Sequence, residues 1–246
     1  MIRKHQRQIQ MKNRPIASLN QVSMTYHNAS GDITPISNVS LDIYSGDFIA
    51  LCGVSGSGKS TLLNILAGII APTCGTVIYN GRIDLAKMKD RKRTAFRRRN
   101  IGMVFQDMNL IGNMTARENI VFPLLLNKVR TCPTLDEKVN QLISILGLDR
   151  VADSYPFEMS GGEQQRTAIA RAILPGTLEG APRTMLLADE PTGNLDAASS
   201  ENIGLILQQL NSSLGQCIIL ATHDNSLAKM AKTRLELQNG TLCFSK

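Results

Sequence analysis

The sequence contains no tryptophan, and aromatic residues make up only 4% of its 246 residues. Proteins that bind single-stranded nucleic acid stack bases on aromatic side chains, so this scarcity disfavours that class. No apolar run approaches the roughly 20 residues of a membrane-spanning helix, and the basic start, residues 1–7, lacks the apolar segment of a secretory signal. The five cysteines form no CxxC pair, which predicts free thiols in the reducing cytosol and no zinc site.

Positive charge is in excess and unevenly placed. The formal net charge is +7, and basic residues concentrate in two runs, within residues 3–14 and 91–99. The favoured interpretation of such runs is solvated surface. The alternative is attraction to an anionic membrane leaflet, at about 1 kcal/mol per basic residue. Nucleic-acid binding ranks third and is not expected, because no recognition module accompanies the charge.

One glycine-rich stretch has the spacing of a phosphate-binding loop, with two glycines five residues apart and Lys-Ser after the second. Its residues are Gly53, Val54, Ser55, Gly56, Ser57, Gly58, Lys59 and Ser60. The preceding run, residues 48–52, predicts a buried strand, and the following run from Thr61 predicts a helix. Backbone N–H groups of such a loop surround phosphate oxygens, and the helix N-terminus adds positive charge. Lys59 can then reach the β- and γ-phosphates, while Ser60 can hold Mg²⁺.

Apolar strands alternate with helical patterns through much of the chain, which predicts a doubly wound α/β core with a parallel sheet. Strands are predicted at 101–105, 184–188 and 217–221, and helices at 87–99, 163–173 and 197–214. A β-rich region precedes the phosphate-binding loop, a mostly helical segment spans about 107–160, and a hairpin around Asn239-Gly240 ends the chain. The core is therefore flanked by a β-rich part and a helical part.

Polar residues follow three of these strands, where the strand ends of an α/β sheet face the ligand crevice. Asp189 can support Mg²⁺ through a water, and Glu190 can position a water against the γ-phosphate. The amide of Gln106 can bridge metal, water and the helical segment, and a ring nitrogen of His223 can reach the γ-phosphate. Each also has a structural interpretation: a solvated loop or cap for Asp189-Glu190, a polar strand end for Gln106, and a turn or cap for His223.

A second anion-binding helix start is predicted more than a hundred residues after the first. Its residues are Ser160, Gly161, Gly162, Glu163, Gln164 and Gln165. A serine and two glycines at a helix N-terminus expose several N–H groups. Two interpretations are open: the chain holds two nucleotides, or this second site serves a nucleotide held by another copy.

Taken in order, these motifs resemble the ATP-binding subunits of ABC (ATP-binding cassette) transporters over about residues 18–243. The resemblance implies a P-loop NTPase (RecA-like) core with an antiparallel β subdomain and a helical signature subdomain, which together are the ABC ATPase fold. It implies an ABC ATPase domain over 16–246, whose helical subdomain spans about 107–160. Residues 1–15 are polar and basic, and they are predicted to form an arm before this domain.

The resemblance also assigns roles to individual residues. ATP and Mg²⁺ are the implied cofactors, Tyr26 stacks on the adenine, and Thr61 completes the phosphate loop. Glu190 is the catalytic base and His223 the γ-phosphate sensor, with Lys59 and Gln106 assisting them. The implied metal ligands are Ser60, Gln106 and Asp189.

The same resemblance resolves the two interpretations of the second helix start. Ser160 to Gln164 form the signature, which reaches the γ-phosphate held by a partner in a head-to-tail dimer, and Asp196 lies at that interface. The dimer is a homodimer or a pair with a similar cassette. ATP binding joins the two copies, and hydrolysis releases them.

The implied membrane partners are integral permease subunits, whose coupling helix receives the segment after Gln106. This places the protein peripherally on the cytoplasmic side of the inner membrane. Residues 102–106 and 187–196 are similar to the branch with LolD, MacB and FtsE, which implies lipoprotein release, MacB-type efflux or mechanotransmission. The long 174–183 link, the arm before Pro15 and Met159 depart from that pattern. The alternatives are an FtsE-like nucleotide-gated regulatory module and a soluble ABC ATPase not engaged in transport.

Overall fold

The computed structural model describes residues 14–29, 31–127, 133–178 and 185–244. Its strands form one four-stranded and one six-stranded sheet. The strands are β1 (Ala17–Asn28), β2 (Gly31–Ile43), β3 (Phe48–Cys52), β4 (Cys74–Tyr79), β5 (Ile83–Asp84), β6 (Ile101–Val104), β7 (Met185–Asp189), β8 (Cys217–Ala221), β9 (Thr233–Gln238) and β10 (Thr241–Phe244).

Helices connect most of these strands. They are α1 (Lys59–Leu66), α2 (Asp90–Asn100), α3 (Ala116–Leu126), α4 (Pro133–Ile145), α5 (Gly161–Ile173), α6 (Ala197–Leu214) and α7 (Asn225–Ala228). Short 3₁₀ turns lie at Leu85–Lys87, Pro156–Glu158 and Leu174–Thr177. Among the helices of the described ranges, none is long and apolar enough to cross a bilayer.

The six-stranded sheet has the order β10-β9-β3-β8-β7-β6. All its neighbours pair in parallel except β9 and β10, which form the predicted terminal hairpin. Because side chains alternate along a strand, each of the inner strands supplies apolar residues to both faces. Leu186 and Ile218 point to one face, and Leu187 and Ile219 to the other. The predicted doubly wound α/β core is therefore confirmed.

The two faces bury separate hydrophobic cores. One core lies between the six-stranded sheet, helix α1 and the antiparallel sheet β2-β1-β4-β5. The other lies between the opposite face and helices α3, α4, α5 and α6. Each fully buried Leu or Ile contributes about 1.5–3 kcal/mol relative to an exposed one, so both layers are held mainly by apolar burial.

The antiparallel sheet touches the parallel one next to the glycine-rich loop. The N–H of Ser37 in β2 donates to the carbonyl of Gly240, at the tip of the terminal hairpin, over 2.7 Å. A Cβ at Gly58 would lie 2.5 Å from the carbonyl oxygen of Pro35, so β2 also passes directly against the loop. This contact places the β1–β2 hairpin beside the phosphate-binding loop.

Helix α5 packs on the opposite part of the sheet, against edge strand β6. A Cβ at Gly102 would lie 2.4 Å from the carbonyl oxygen of Ala172, so glycine is required for this close approach. Strands β8 and β7 separate β3 from β6. At about 4.8 Å per strand spacing, β3 and β6 are therefore roughly 14 Å apart. The loop after β3 and the edge strand that contacts α5 are separated by the same distance across the sheet.

Several predicted boundaries need correction. Helix α2 begins at Asp90 rather than Lys87, because residues 85–87 form a 3₁₀ turn capped by the Asp84 carboxylate. Helix α5 begins at Gly161 rather than Glu163, because Ser160 is its N-cap. Strand β6 ends at Val104 rather than Phe105, which leaves Gln106 in a loop.

Some predictions fall partly outside the described residues. These are the arm over 1–15, of which only residues 14 and 15 are described, the 174–183 link beyond residue 178, and Thr184 of a predicted strand. The predicted helical segment at 107–160 does contain α3 and α4. Its status as a separate subdomain, like the division into arm and domain, stays a prediction.

Asn119 holds the loop that leads into α3. The side chain is fully buried, and its Oδ1 accepts from the N–H of Ile111 over 2.8 Å. Its Nδ2 donates to the carbonyls of Ile111, Met114 and Thr115 over 3.0–3.1 Å. One buried amide thus makes four hydrogen bonds to the loop and the start of α3, which satisfy its own polar atoms and hold the loop in place.

We expect Asn119→Ala to lower the free energy of unfolding by about 2–4 kcal/mol, because the four hydrogen bonds of a fully buried amide are lost. Urea denaturation followed by circular dichroism measures the loss. Asn202→Ala, on the exposed side of α6, is the matched control and should change stability by less than about 0.5 kcal/mol. Equal denaturation midpoints for the two variants would contradict the role given to Asn119.

Candidate functional site

The loop between β3 and α1 has a backbone that glycine makes possible. Gly53, Gly56 and Gly58 have φ angles of 148°, 77° and 103°, in the region that other residues rarely adopt. A Cβ at Gly53 would also lie 2.8 Å from the carbonyl oxygen of Leu237. Val54 and Ser55 are exposed at the loop tip, and Thr61 lies in the first turn of α1.

Ser57 is the clearest sign that this loop is shaped for a ligand. Its Oγ is buried and has no hydrogen-bond partner among the described residues. A buried hydroxyl without a partner costs free energy unless a bound group satisfies it. Together with the N–H groups at the start of α1, this hydroxyl fits a phosphate oxygen.

Lys59 is buried, with 6% of its surface exposed. Its Nζ donates to the carbonyls of Gly53 and Val54 over 2.8 and 3.1 Å, and lies 3.4 Å from Oε1 of Glu190. A buried ammonium needs such partners because it has lost its water. The sequence predicted the position of Lys59 but not its ion pair with Glu190.

Asp189 and Ser60 meet at the end of β7. The hydroxyl of Ser60 donates to Oδ1 of Asp189 over 3.0 Å. Burial raises the pKa of Asp189, and the hydrogen bond from Ser60 partly offsets this effect. A half-buried carboxylate beside a hydroxyl is a pair of hard oxygen donors, which is the chemistry that Mg²⁺ prefers. These two predicted ligands are therefore adjacent and fit the metal.

Glu190 has a backbone in the left-handed region, with φ of 47°. Its N–H donates to the carbonyl of Ala221 in β8 over 3.0 Å, which holds this unfavourable conformation. Oε2 lies 2.9 Å from Nδ1 of His223, and Oε1 faces Lys59. The structure thus brings together three of the four predicted catalytic residues.

Gln106, the fourth, is bonded elsewhere. Its Nε2 donates to Oδ1 of Asn194 over 3.1 Å, and Asn194 also contacts Asp107. Asn194 was not among the predicted site residues. Its only sequence signal was its position two residues before Asp196, within a motif between strand and helix.

The predicted signature forms a capped helix start. The hydroxyl and N–H of Ser160 donate to Oε2 of Glu163 over 2.7 and 2.8 Å, and the N–H of Glu163 points back to Ser160 Oγ. These bonds lower the pKa of Glu163. The Gln164 amide donates to the carbonyls of Pro156 and Met159, which fixes the turn before the helix.

The signature glycines lie against the segment that precedes and starts α6. A Cβ at Gly161 would lie 3.1 Å from Leu195, and one at Gly162 would lie 3.4 Å from Ser199. Asp196 is the N-cap of α6, and its carboxylate accepts from the N–H and hydroxyl of Ser199 over 2.9 and 2.7 Å. The signature and Asp196 are therefore close together, on the α5 part of the sheet rather than at the β3 loop.

Tyr26 lies on β1 opposite Ile33 of β2. Its ring is partly exposed, as an aromatic platform for a ligand must be. Because β2 continues to Pro35 against Gly58, this hairpin stands beside the phosphate-binding loop. The position is compatible with the stacking role predicted for Tyr26.

Comparison with known proteins agrees with this geometry. The family model for ABC transporters matches residues 36–193. The uncharacterized ABC transporter ATP-binding protein YvcR of Bacillus subtilis (strain 168) is 40% identical over 221 residues, which cover 89% of this chain and 82% of YvcR. The macrolide export ATP-binding/permease protein MacB of Syntrophobacter fumaroxidans (strain DSM 10017 / MPOB) is 39% identical over 228 residues. That match covers 92% of this chain but 31% of MacB.

Two solved structures are similar over nearly the whole chain. A dimeric, post-hydrolysis state of the ATP-binding cassette MJ0796, bound to ADP and Pi, superposes with a TM-score of 0.80 at 35% identity. A dimeric structure of MJ0796, a bacterial ABC transporter cassette, gives a TM-score of 0.78 at 37% identity. Each match covers 92% of this chain and 96% of the solved one.

The chain therefore belongs to the ABC transporter family. It is an ATP-binding cassette of that family and an ATP hydrolase, as its motifs predicted. The predicted P-loop ABC ATPase fold is confirmed as well.

We expect Lys59→Ala to weaken ATP binding by about 10- to 100-fold, because a charged hydrogen-bond donor is removed from the phosphate-binding loop. Isothermal titration calorimetry measures the affinity. Lys92→Ala, which changes an exposed lysine of α2, is the control and should bind ATP like the wild type. Unchanged affinity in Lys59→Ala would count against the assignment of this loop.

Proposed function

We propose that this cassette hydrolyses ATP in a head-to-tail pair, in which each copy completes the nucleotide site of the other. The observation that carries this proposal is the separation within one chain. The phosphate-binding loop follows β3, whereas the signature helix α5 packs on β6, three strands away. Two anion-binding helix starts that cannot serve one phosphate within a chain can do so across two chains. The dimeric MJ0796 cassettes support such a pair.

In the proposed site, the loop over 53–60 binds the triphosphate through backbone N–H groups, Ser57 and Lys59. Lys59 exchanges its bonds to Gly53 and Val54 for bonds to phosphate oxygens. Tyr26 stacks on the adenine from the adjacent hairpin. The loop is preorganised for this because the positive φ angles of its glycines are already in place.

Mg²⁺ would be held by Ser60 and Asp189, with Gln106 as a further oxygen donor. The ion supplies neutralisation of charge on the phosphate oxygens. The donation of the Ser60 hydroxyl to Asp189 shows that the two side chains already converge. This assignment rests on the chemistry of the donors and on the contact between Ser60 and Asp189.

Glu190 acts as the general base that orients and deprotonates the attacking water. Its carboxylate is fixed from both sides, by Lys59 and by His223. His223 is also placed at a strand end from which a ring nitrogen can contact the γ-phosphate. Such a hydrogen-bonded orientation of a base is typical of catalytic sites.

Ser160 of the partner contacts the γ-phosphate, together with the N–H groups of Gly161 and Gly162. The helix start offers N–H donors and positive charge to the anion. The exposed position of Ser160 and Gly161 permits this approach. Asp196 lies beside the signature and belongs to the same interface.

ATP hydrolysis by the cassette drives an integral membrane permease. The cassette associates with this permease peripherally, on the cytoplasmic side of the inner membrane. The name of the MacB relative joins an ATP-binding part and a permease, which supports a permease partner and MacB-type efflux, lipoprotein release or mechanotransmission. The segment after Gln106 leads to α3, whose last residues, Leu125 and Leu126, are exposed and apolar. We assign the permease contact to this region.

The basic helix α2 is the part of the chain that we assign to contact with anionic lipid. Arg91, Lys92, Arg98 and Arg99 are exposed. Arg98 donates to the carbonyl of Leu126 over 2.9 Å, so these charges lie next to the region assigned to the permease. This part of the proposal rests on charge and proximity.

We expect Glu190→Gln to reduce ATP turnover by about 10²- to 10⁴-fold, because the water loses its base. The same variant should accumulate as an ATP-bound dimer, since both phosphate-binding helix starts remain intact. A sizing column run with saturating Mg-ATP measures the dimer, and a phosphate-release assay measures turnover. Glu137→Gln, at an exposed position of α4, should behave like the wild type. A Glu190→Gln variant that stays monomeric would refute the shared site.

A further inference from the structure

The Asn194 side chain joins two loops that are far apart in sequence. It lies between β7 and α6, and its Oδ1 accepts from Nε2 of Gln106 over 3.1 Å. Its Nδ2 donates to Oδ1 of Asp107 over 3.2 Å, with a longer contact of 3.5 Å to the carbonyl of Gln106. Both ends of the Asn194 amide are therefore used on the loop that follows β6.

The donor and acceptor roles in these hydrogen bonds are fixed in sequence, from Asp107 to Asn194 to Gln106. An ionised carboxylate only accepts hydrogen bonds, so the end of the Asn194 amide that faces Asp107 is the NH₂ group. The other end is then the oxygen, which binds the NH₂ group of Gln106. Asp107 thus determines the orientation of the Asn194 amide, and Asn194 determines that of Gln106.

As a result, the NH₂ group and the carbonyl oxygen of the Gln106 amide have different surroundings. The NH₂ group is bound to Asn194, which leaves the carbonyl oxygen Oε1 as the end that Asn194 does not use. Oxygen, and not NH₂, is what Mg²⁺ binds. A rotated amide would present hydrogens to the cation instead.

The backbone around Asn194 is built for this contact. A Cβ at Gly193 would lie 2.8 Å from Nε2 of Gln106, so a larger residue there would displace the end of the Gln106 side chain from this contact. The N–H of Gly193 donates to the carbonyl of Glu190, and that of Leu195 to Thr192. The loop that holds Asn194 is thus closed by its own hydrogen bonds.

We propose that Asn194 is a positioning residue which, oriented by Asp107, holds the NH₂ group of Gln106 and so keeps its carbonyl oxygen available to the magnesium of the nucleotide site. The inference rests on the proposed function, in which Gln106 is a metal ligand. It adds that two residues outside the ligand set determine whether Gln106 can serve. Since the Asn194 loop also carries Glu190 and Asp196, the metal ligand is linked to the base and to the proposed dimer interface.

The test compares the affinity for ATP by calorimetry with Mg²⁺ and in excess EDTA. We expect Asn194→Ala to lower the enhancement of ATP binding by Mg²⁺ about two- to tenfold, the range for loss of one hydrogen bond. Affinity in EDTA should not change, because the phosphate-binding loop is untouched. Asn202→Ala should match the wild type under both conditions. An unchanged enhancement in Asn194→Ala would overturn the inference, as would an equal loss in EDTA.

A double variant separates orientation from simple packing. Asn194→Asp alone sets two carboxylates against each other and should lose the enhancement. Combined with Asp107→Asn, the new amide donates to the new carboxylate, which still accepts from Gln106. We therefore expect the double variant to regain the enhancement, and failure to regain it would contradict the directional argument.

Gln106→Ala distinguishes this inference from the proposed function. In that background Asn194→Ala should have no further effect on the enhancement, and an additional loss would overturn the inference. If Gln106→Ala itself retains the full enhancement, the metal role of Gln106 is wrong and the inference falls with it. A wild type that does not bind ATP would refute the proposed function itself.

Discussion

The rest of the site depends on the interactions of one buried group, the ammonium of Lys59. It bonds to two carbonyls of its own loop and to Glu190, so it connects the loop after β3 with the end of β7. A charge with 6% exposure cannot be left without partners, because desolvation costs several kcal/mol. The groups around Lys59 are therefore fixed in place by the need to stabilise it.

The parallel sheet makes this arrangement possible. Strands β3, β7 and β8 all end at the same edge, where they place Lys59, Asp189, Glu190 and His223 within reach of one another. The buried runs that form these strands supply apolar side chains to two cores at once, which holds the edge rigid. The strained backbone of Glu190 persists because β8 supplies the hydrogen bond that stabilises it.

Much of this was predictable, because the signals are local. The bounds of β3 and β8 agree with the predicted ones, since continuous apolar runs end where polar or glycine residues begin. Those of α6 also agree, because Asp196 caps its start and Gly215 ends it. The phosphate-binding loop was predictable from the spacing of its glycines together with the predicted strand before it and the predicted helix after it. Helix starts that depend on side-chain caps were less predictable. Asp84 caps a 3₁₀ turn that precedes α2, so this helix begins later than predicted. Ser160 caps α5, so that helix begins two residues earlier than predicted.

The contacts that could not be predicted join distant segments through single side chains. The Asn194 amide meets Gln106, 88 residues away in sequence, and periodicity carries no information on such a pair. The ion pair between Lys59 and Glu190 likewise depends on which strands become neighbours in the sheet. Sequence motifs identified the chemical groups of the site, whereas tertiary packing determined which of them are bonded to each other.

The capping box at the start of α5 affects how tightly two copies can associate. The Ser160 hydroxyl already donates to a carboxylate of its own chain at 2.7 Å. In the proposed pair, a phosphate must replace that acceptor, so this one contact exchanges a strong hydrogen bond for another and adds little net free energy to the interface. Once the phosphate leaves, the Ser160 hydroxyl can return to Glu163 of its own chain, so the loss of this contact leaves no buried donor without a partner.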